Sequence, residues 1–275
     1  MSESYKVSVI IPCFNHGEFL PEAVGSVNNI RRSDIELIVV DDGSTDERTR
    51  KEMDMLSGRG TRVIRQTNKG LAAARNAGVL ASQGEYIFPL DADDHLRSGW
   101  IDRGIGILES DTHIGVVYGD AECFGIRTDR WCVGPFDPEK LLFSNFIHAS
   151  ALYRRAVWEQ NGGYDGTMPV QGLEDWDFWV GAFERGWQFH YVPEVFFEYR
   201  RAEQSMLTRA IPFYDQVVEF VARKHGLLYR QAWLSASAVG KQESVKWTLN
   251  NLHKLLRRRM KTRINKQWTF GGSER

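Results

Sequence analysis

Cysteine is scarce: Cys13, Cys123 and Cys132 are the only three in 275 residues, and no two form a C-x-x-C pair. That spacing argues against a disulfide framework or a zinc site, and free thiols in a reducing compartment are the simple account. An excess of either charge is missing too. Lys plus Arg number 35 against 36 Asp plus Glu, a formal net charge of -1, so no global field points to a nucleic-acid partner. No apolar run approaches the roughly 20 residues needed to span a bilayer. The first residues lead into a strand without a secretory signal. A soluble, cytoplasmic globular protein is the expectation. Two glycine signatures are absent as well. The turn Pro12-Cys13-Phe14-Asn15-His16-Gly17 holds no G-x-G-x-x-G, and no P-loop occurs.

What is present is an alternation of strands and helices. Val7 to Ile11 and Ile35 to Val40 are short apolar runs that read as buried strands, and Arg62 to Gln66 is a weaker third. Between them, Leu20, Ala23, Val24 and Val27 recur at helical spacing, and LAAARNAGVLAS follows Asn68-Lys69-Gly70. The next strand, Tyr86 to Leu90, ends abruptly in Asp91, Asp93 and Asp94. This order predicts an α/β fold with a largely parallel sheet flanked by helices. Polar loops at 12–17, 41–46 and 91–95 then leave the same sheet edge and converge on one cleft. Alternate aspartates there suit a hard divalent cation with positions open for phosphate. A carboxylate after another strand can accept hydrogen bonds from a base or a ribose. Arg75 carries a permanent charge suited to a diphosphate. For Asp46 and Asp94, capping of the following helix is the simpler role.

The segments VSVIIPCFNHGEFLPEAVGSV, IELIVVDDGSTD, NKGLAAARNAG and YIFPLDADD together resemble glycosyltransferase family 2, of GT-A fold. The match is dense over 6–95 and looser to about residue 205. It implies a Rossmann-like domain over 1–205, with a donor half to about 95 and an acceptor and catalytic half beyond. A helical, basic extension over 206–275 would follow. By the resemblance, Pro12, Phe14 and Asn15 contact the nucleotide, and Asp42, beside Asp41, pairs with the base, expected to be uracil. Lys69, Gly70 and Arg75 flank the nucleotide and diphosphate. In the D-x-D of Asp91, Ala92 and Asp93, Asp91 matches the ribose contact and Asp93 the ligand of Mn²⁺ or Mg²⁺.

The later half carries a second candidate stretch. Trp176, Trp179, Val180 and Phe183 follow helical spacing, so Glu174 and Asp175 stand at a helix N-terminus, which favours ionised carboxylates. Capping would explain them; the resemblance instead matches them to the E-D motif, with Asp175 as general base and Glu174 its neighbour. Asp120 ends a strand and is either a turn carboxylate or an acceptor contact. His148 is either structural or a substrate contact. Residues 121–147 are the least interpretable, and Trp187 to Tyr199 reads as a strand pair or one bent strand. Arg200, Arg201 and Gln204 match a segment that closes over the diphosphate. Where the family often places a metal-binding histidine, this chain has Ala202 or Glu203.

Toward the end, Val245, Leu249, Leu252 and Leu256 form an apolar stripe beside a basic face from Lys246 to Lys266. A solvated face is the ordinary account, with contact to an anionic membrane surface as the alternative. The resemblance implies inverting transfer of a sugar from a nucleotide-diphosphate donor to a saccharide or lipid-linked acceptor. A non-catalytic nucleotide-sugar-binding subunit would bind donor without transfer, and a nucleotidyltransferase would release pyrophosphate.

Overall fold

The computed structural model describes residues 5–238, and the apolar stripe and basic face over 245–266 lie outside them. The chain divides into two units, Met1–Val221 and Ala222–Arg275. The first is built on one sheet. Its opening strands are β1 (Val7–Cys13), β2 (Ile35–Asp41), β3 (Arg62–Arg65) and β4 (Tyr86–Pro89), paired in parallel. Three helices connect them: α1 (Leu20–Asn28), α2 (Glu47–Gly58) and α3 (Leu71–Ala81). Every residue of β1 and β4 is buried, which is why both read as largely apolar runs, broken in β1 only by Ser8. Asp46 caps α2, accepting from Thr49 N at 2.8 Å as expected. Helix α3 comes close to the sheet because Gly78 faces it. A Cβ on Gly78 would lie 2.2 Å from Cγ2 of Ile10.

The remaining elements of the sheet unit follow in order as β5 (His95–Leu96), α4 (Trp100–Ser110), β6 (Ile114–Gly125), β7 (Arg130–Trp131) and α5 (Pro138–Phe143). Then come β8 (Leu152–Arg154), α6 (Arg155–Asn161), α7 (Glu174–Glu184), β9 (Gln188–Arg201), α8 (Met206–Ala210), a 3₁₀ turn (Ile211–Phe213) and α9 (Tyr214–Lys224). The strand order is β3-β2-β1-β4-β8-β6-β9-β5, with β7 paired to β6. The run from Gln188 is one bent strand. Gly119 pairs with Val192 but Asp120 with Val195, so Pro193 and Glu194 bulge out of the ladder. Proline has no N–H to give, which accounts for the break there. The second unit holds α10 (Gly226–Ala238). No helix among the described residues is long and apolar enough to cross a membrane.

Candidate active site

The loops after β1, β2 and β4 leave the C-terminal edge of the parallel strands together, as the alternation predicts. They are tied to each other by side chains. Asn15, at φ +56°, accepts from the N–H of Thr45 and Asp46 through Oδ1, so its amide braces the β2 loop. Asp41 accepts from Ser44 N at 2.9 Å. Asp42 is buried and accepts from Gln66 Nε2 and Lys69 N through Oδ1, and from Gly70 N through Oδ2. The base-pairing candidate thus arrives with its carboxylate already oriented, one lone pair of Oδ2 unused. Pro12 is buried, Phe14 is 42% exposed, and Lys69 projects into solvent.

At the end of β4 the three aspartates have different surroundings. Asp94 does not cap a helix, which corrects the capping expectation. It is fully buried, its Oδ1 accepts from Arg200 N at 2.9 Å, and its Oδ2 has no partner. Helix α4 begins only at Trp100, after Gly99 in the left-handed region. Ligand atoms of Asp91, Asp94 and His148 lie within 4.8 Å of one another. Asp93, the sequence's choice of metal ligand, stands between them in the chain but is not one of the three. Burial and the neighbouring carboxylates push Asp93 and Asp94 above the ordinary carboxylate value. Burial would raise Asp91 too, but the Arg75 charge and His148 outweigh it and hold Asp91 low. His16, from the β1 loop, lies within electrostatic reach of Asp91 and Asp93.

His148 follows α5 in the chain and stacks on Phe197 at 4.7 Å. Burial drives its imidazole down to about 4, so the ring is neutral at physiological pH. Its Nδ1 accepts from Ser150 N at 3.0 Å, and its Nε2 faces Asp91 at 3.8 Å. The neutral ring therefore carries its hydrogen on Nε2, and ligation through that atom requires the hydrogen to leave.

Arg75 does not present its guanidinium to the cleft. Its side chain is 3% exposed, donating to Asp91 at 2.8 Å and to Glu174. The residue, expected from the sequence to flank the nucleotide and diphosphate, thus fastens the β4 turn to α7. Glu174 is held at both oxygens, since the other one accepts from Gly172 N at 2.8 Å. Asp175 is held on one side only. Its Oδ1 accepts from Asn145 Nδ2 and from Trp176 N, both at 2.9 Å, while Oδ2 makes no hydrogen bond among the described residues. Burial, then the Glu174 charge, push this carboxyl up to about 7. Asn145 lies in the uninterpretable stretch, and no local pattern singles it out.

Two further candidates are used otherwise. Asp120 accepts from Arg130 Nε and Nη2, Val133 N and Tyr191 OH, which fills both oxygens and favours the turn carboxylate over the acceptor contact. Arg200 donates to Asp93 O and to Glu22, and stacks against Phe19 and Phe124, so it fixes the aspartate turn to α1. Arg201 keeps more freedom: its Nε meets Cys123 Sγ, and its guanidinium lies over Tyr199 and Trp131. Gln204 is exposed beyond the end of β9.

Residues 8–162 match the family described as glycosyl transferase family 2. A PGL/p-HBAD biosynthesis glycosyltransferase of Mycobacterium bovis (strain BCG / Pasteur 1173P2) is 33% identical over 180 residues, covering 64% of this chain and 69% of that relative. EpsE of Bacillus subtilis, which also carries a glycosyltransferase name, is 27% identical over 222 residues, covering 78% and 79%. The crystal structure of S. aureus TarS 1–349 in complex with UDP-GlcNAc superposes with a TM-score of 0.64 at 19% identity. It covers 81% of this chain and 66% of that one. At that identity the likeness speaks for the GT-A fold alone.

Proposed function

The chain belongs to glycosyltransferase family 2, and on that premise we propose that it transfers a sugar, with inversion, from a nucleotide-diphosphate donor to an acceptor hydroxyl. The acceptor in this reading is a saccharide or lipid-linked glycoconjugate. UDP is the favoured carrier, because the similarly folded TarS structures are complexes with UDP-GlcNAc and UDP. The observation that carries the proposal is the asymmetry of Asp175: Oδ1 is tied by two donors and Oδ2 by none.

Asp175 Oδ2 takes the proton of the acceptor hydroxyl as its oxygen bonds to the anomeric carbon. The bond from that carbon to the diphosphate oxygen breaks, and its electron pair leaves with the nucleoside diphosphate. A single displacement of this kind inverts the anomeric centre. A carboxyl raised to about 7 holds a proton more strongly than an ordinary aspartate, yet is substantially ionised at physiological pH. Glu174 is the poorer base, because both its oxygens are tied, one of them to the Arg75 cation. On the donor side, Asp42 and the Phe14 ring are placed to meet the base, and the exposed Lys69 and Arg201, which makes no ion pair among the described residues, are cations available to phosphate.

The aspartate turn fits a divalent cation. Among the described residues Asp94 keeps a buried oxygen without a partner, and burial, followed by the neighbouring carboxylates, raises both Asp93 and Asp94. Asp91 and Asp94 would hold Mn²⁺ or Mg²⁺ through oxygen, with Asp93 on the same turn and His148 closing the group. When bound, such an ion offsets the charge developing on the leaving diphosphate.

The test is a transfer assay with a panel of UDP-, GDP- and dTDP-sugars and saccharide or lipid-linked acceptors, reading nucleoside diphosphate and the product anomer. Release of UDP with an inverted linkage supports the reading. Pyrophosphate release, or donor binding with no turnover on any acceptor, would overturn it.

A further inference from the structure

Helix α7 lacks a capping side chain, since Leu173 occupies its N-cap. It is instead gripped from the side by residues 141–148. Trp176 Nε1 donates to Leu141 O at 2.6 Å and Trp179 Nε1 to Ile147 O at 3.2 Å. These two bonds end on backbone carbonyls and set the position of the helix. The third bond from this segment, Asn145 Nδ2 to Asp175 Oδ1 at 2.9 Å, ends on the reacting carboxylate.

Against the ionised Asp175 the Asn145 amide can face in only one way. Turned over, it would set a carbonyl oxygen against a carboxylate oxygen. In the orientation adopted, its own Oδ1 is buried without a partner among the described residues. A buried carbonyl left unpaired is costly, so the bond to Asp175 is the interaction that this orientation serves. Three residues on, the same segment carries His148 to the aspartate turn, so it touches both the base and the metal cluster.

We propose that Asn145 is the positioning residue of the general base, pinning Oδ1 of Asp175 so that Oδ2 alone meets the acceptor hydroxyl, and favouring the ionised carboxylate. This assignment rests on Asp175 being the base. The other groups facing Asp175 are Glu174 beside it, Arg75 from α3, Asp91 from the β4 turn and Tyr164 from the loop after α6. Glu174 and Asp91 favour the protonated form, Arg75 the ionised one. Arg75 spends its hydrogen bonds on Asp91 and Glu174. Asn145 is therefore the side chain whose hydrogen bond reaches Asp175 itself.

The test compares pH profiles of kcat for wild type, Asn145→Leu and Asn145→Asp, with UDP affinity and unfolding temperature measured alongside. Asn145→Leu keeps the branched shape, with more bulk, and removes the donor. It should move the acid limb upward by about one pH unit, the size expected for one hydrogen bond to a charged group. Asn145→Asp should move it further by adding a like charge, with turnover recovering at high pH and UDP affinity near that of wild type. An acid limb that stays in place, with kcat lowered equally at every pH, would reduce Asn145 to packing and overturn the proposal. If Asn145→Leu fails to fold, Asn145→Ala, which removes the donor without adding bulk or charge, decides by the same limb. Near-normal turnover in Asp175→Asn would instead remove the base reading itself, which separates the two failures.

Discussion

Arg75 and Glu174, 99 positions apart in the chain, form an ion pair in which each side chain is only 3% exposed. The same guanidinium holds Asp91, so one buried cation joins the donor turn to the helix carrying the base.

Removing that cation leaves two carboxylates facing each other without compensation. Arg75→Met should destabilise the protein by about 3–5 kcal/mol, the scale for breaking a buried pair, and chemical denaturation would measure it. A loss below about 1 kcal/mol would mean that the pair behaves like an exposed one.

Asp175→Asn keeps the size of the side chain and removes the base. Turnover should fall by roughly 10²–10⁴, the usual worth of a positioned base, while UDP binding by calorimetry stays near wild type. Parallel loss of binding and turnover would point to a structural role instead.

The raised Asp175 carboxyl predicts two pH effects. Turnover should fall as pH drops through about 7, because the base becomes protonated. The stability effect has the opposite sign. The folded carboxyl holds its proton more tightly than the unfolded chain, so its contribution is full below the ordinary aspartate value of 3.8 and is lost as pH rises through about 7. Asp175→Asn should therefore gain in unfolding temperature over wild type between those values and level off above. A difference flat across pH would refute the shift.

A divalent ion should stabilise the protein by relieving repulsion in the aspartate turn. Thermal unfolding with Mn²⁺ after chelation should show a rise that scales with ion concentration, and UDP affinity should fall when the ion is removed. Asp94→Asn and Asp93→Asn then distinguish the ligands. If only Asp93→Asn abolishes the rise, the ion sits where the D-x-D spacing suggests. If Asp94→Asn abolishes it, the buried oxygen holds the ion.

The donor half was legible because its information is local. Largely apolar runs specify buried parallel strands, and each ends in its own polar loop, so Asp42 and Asp91 could be found in the chain before any contact was known. The helix that Asp175 opens was legible in its apolar stripe, but local pattern left capping open for Asp175, and only the resemblance matched it to a base. The bend in β9 was partly legible in its irregular alternation, and the structure locates it at Pro193.

By itself, then, the sequence determined the strand-helix alternation, the shared sheet edge and the carboxylates that line it, since periodicity and turn chemistry act over a few residues. Only the tertiary structure decided which of those groups remain available. It buried Arg75 between Asp91 and Glu174, closed every oxygen of Asp120, took Asp94 from capping into the cluster, and set Asn145 against Asp175. Each of these outcomes depends on which distant donors and acceptors are packed together away from water, where a polar group must find a partner, and spacing along the chain carries no record of that.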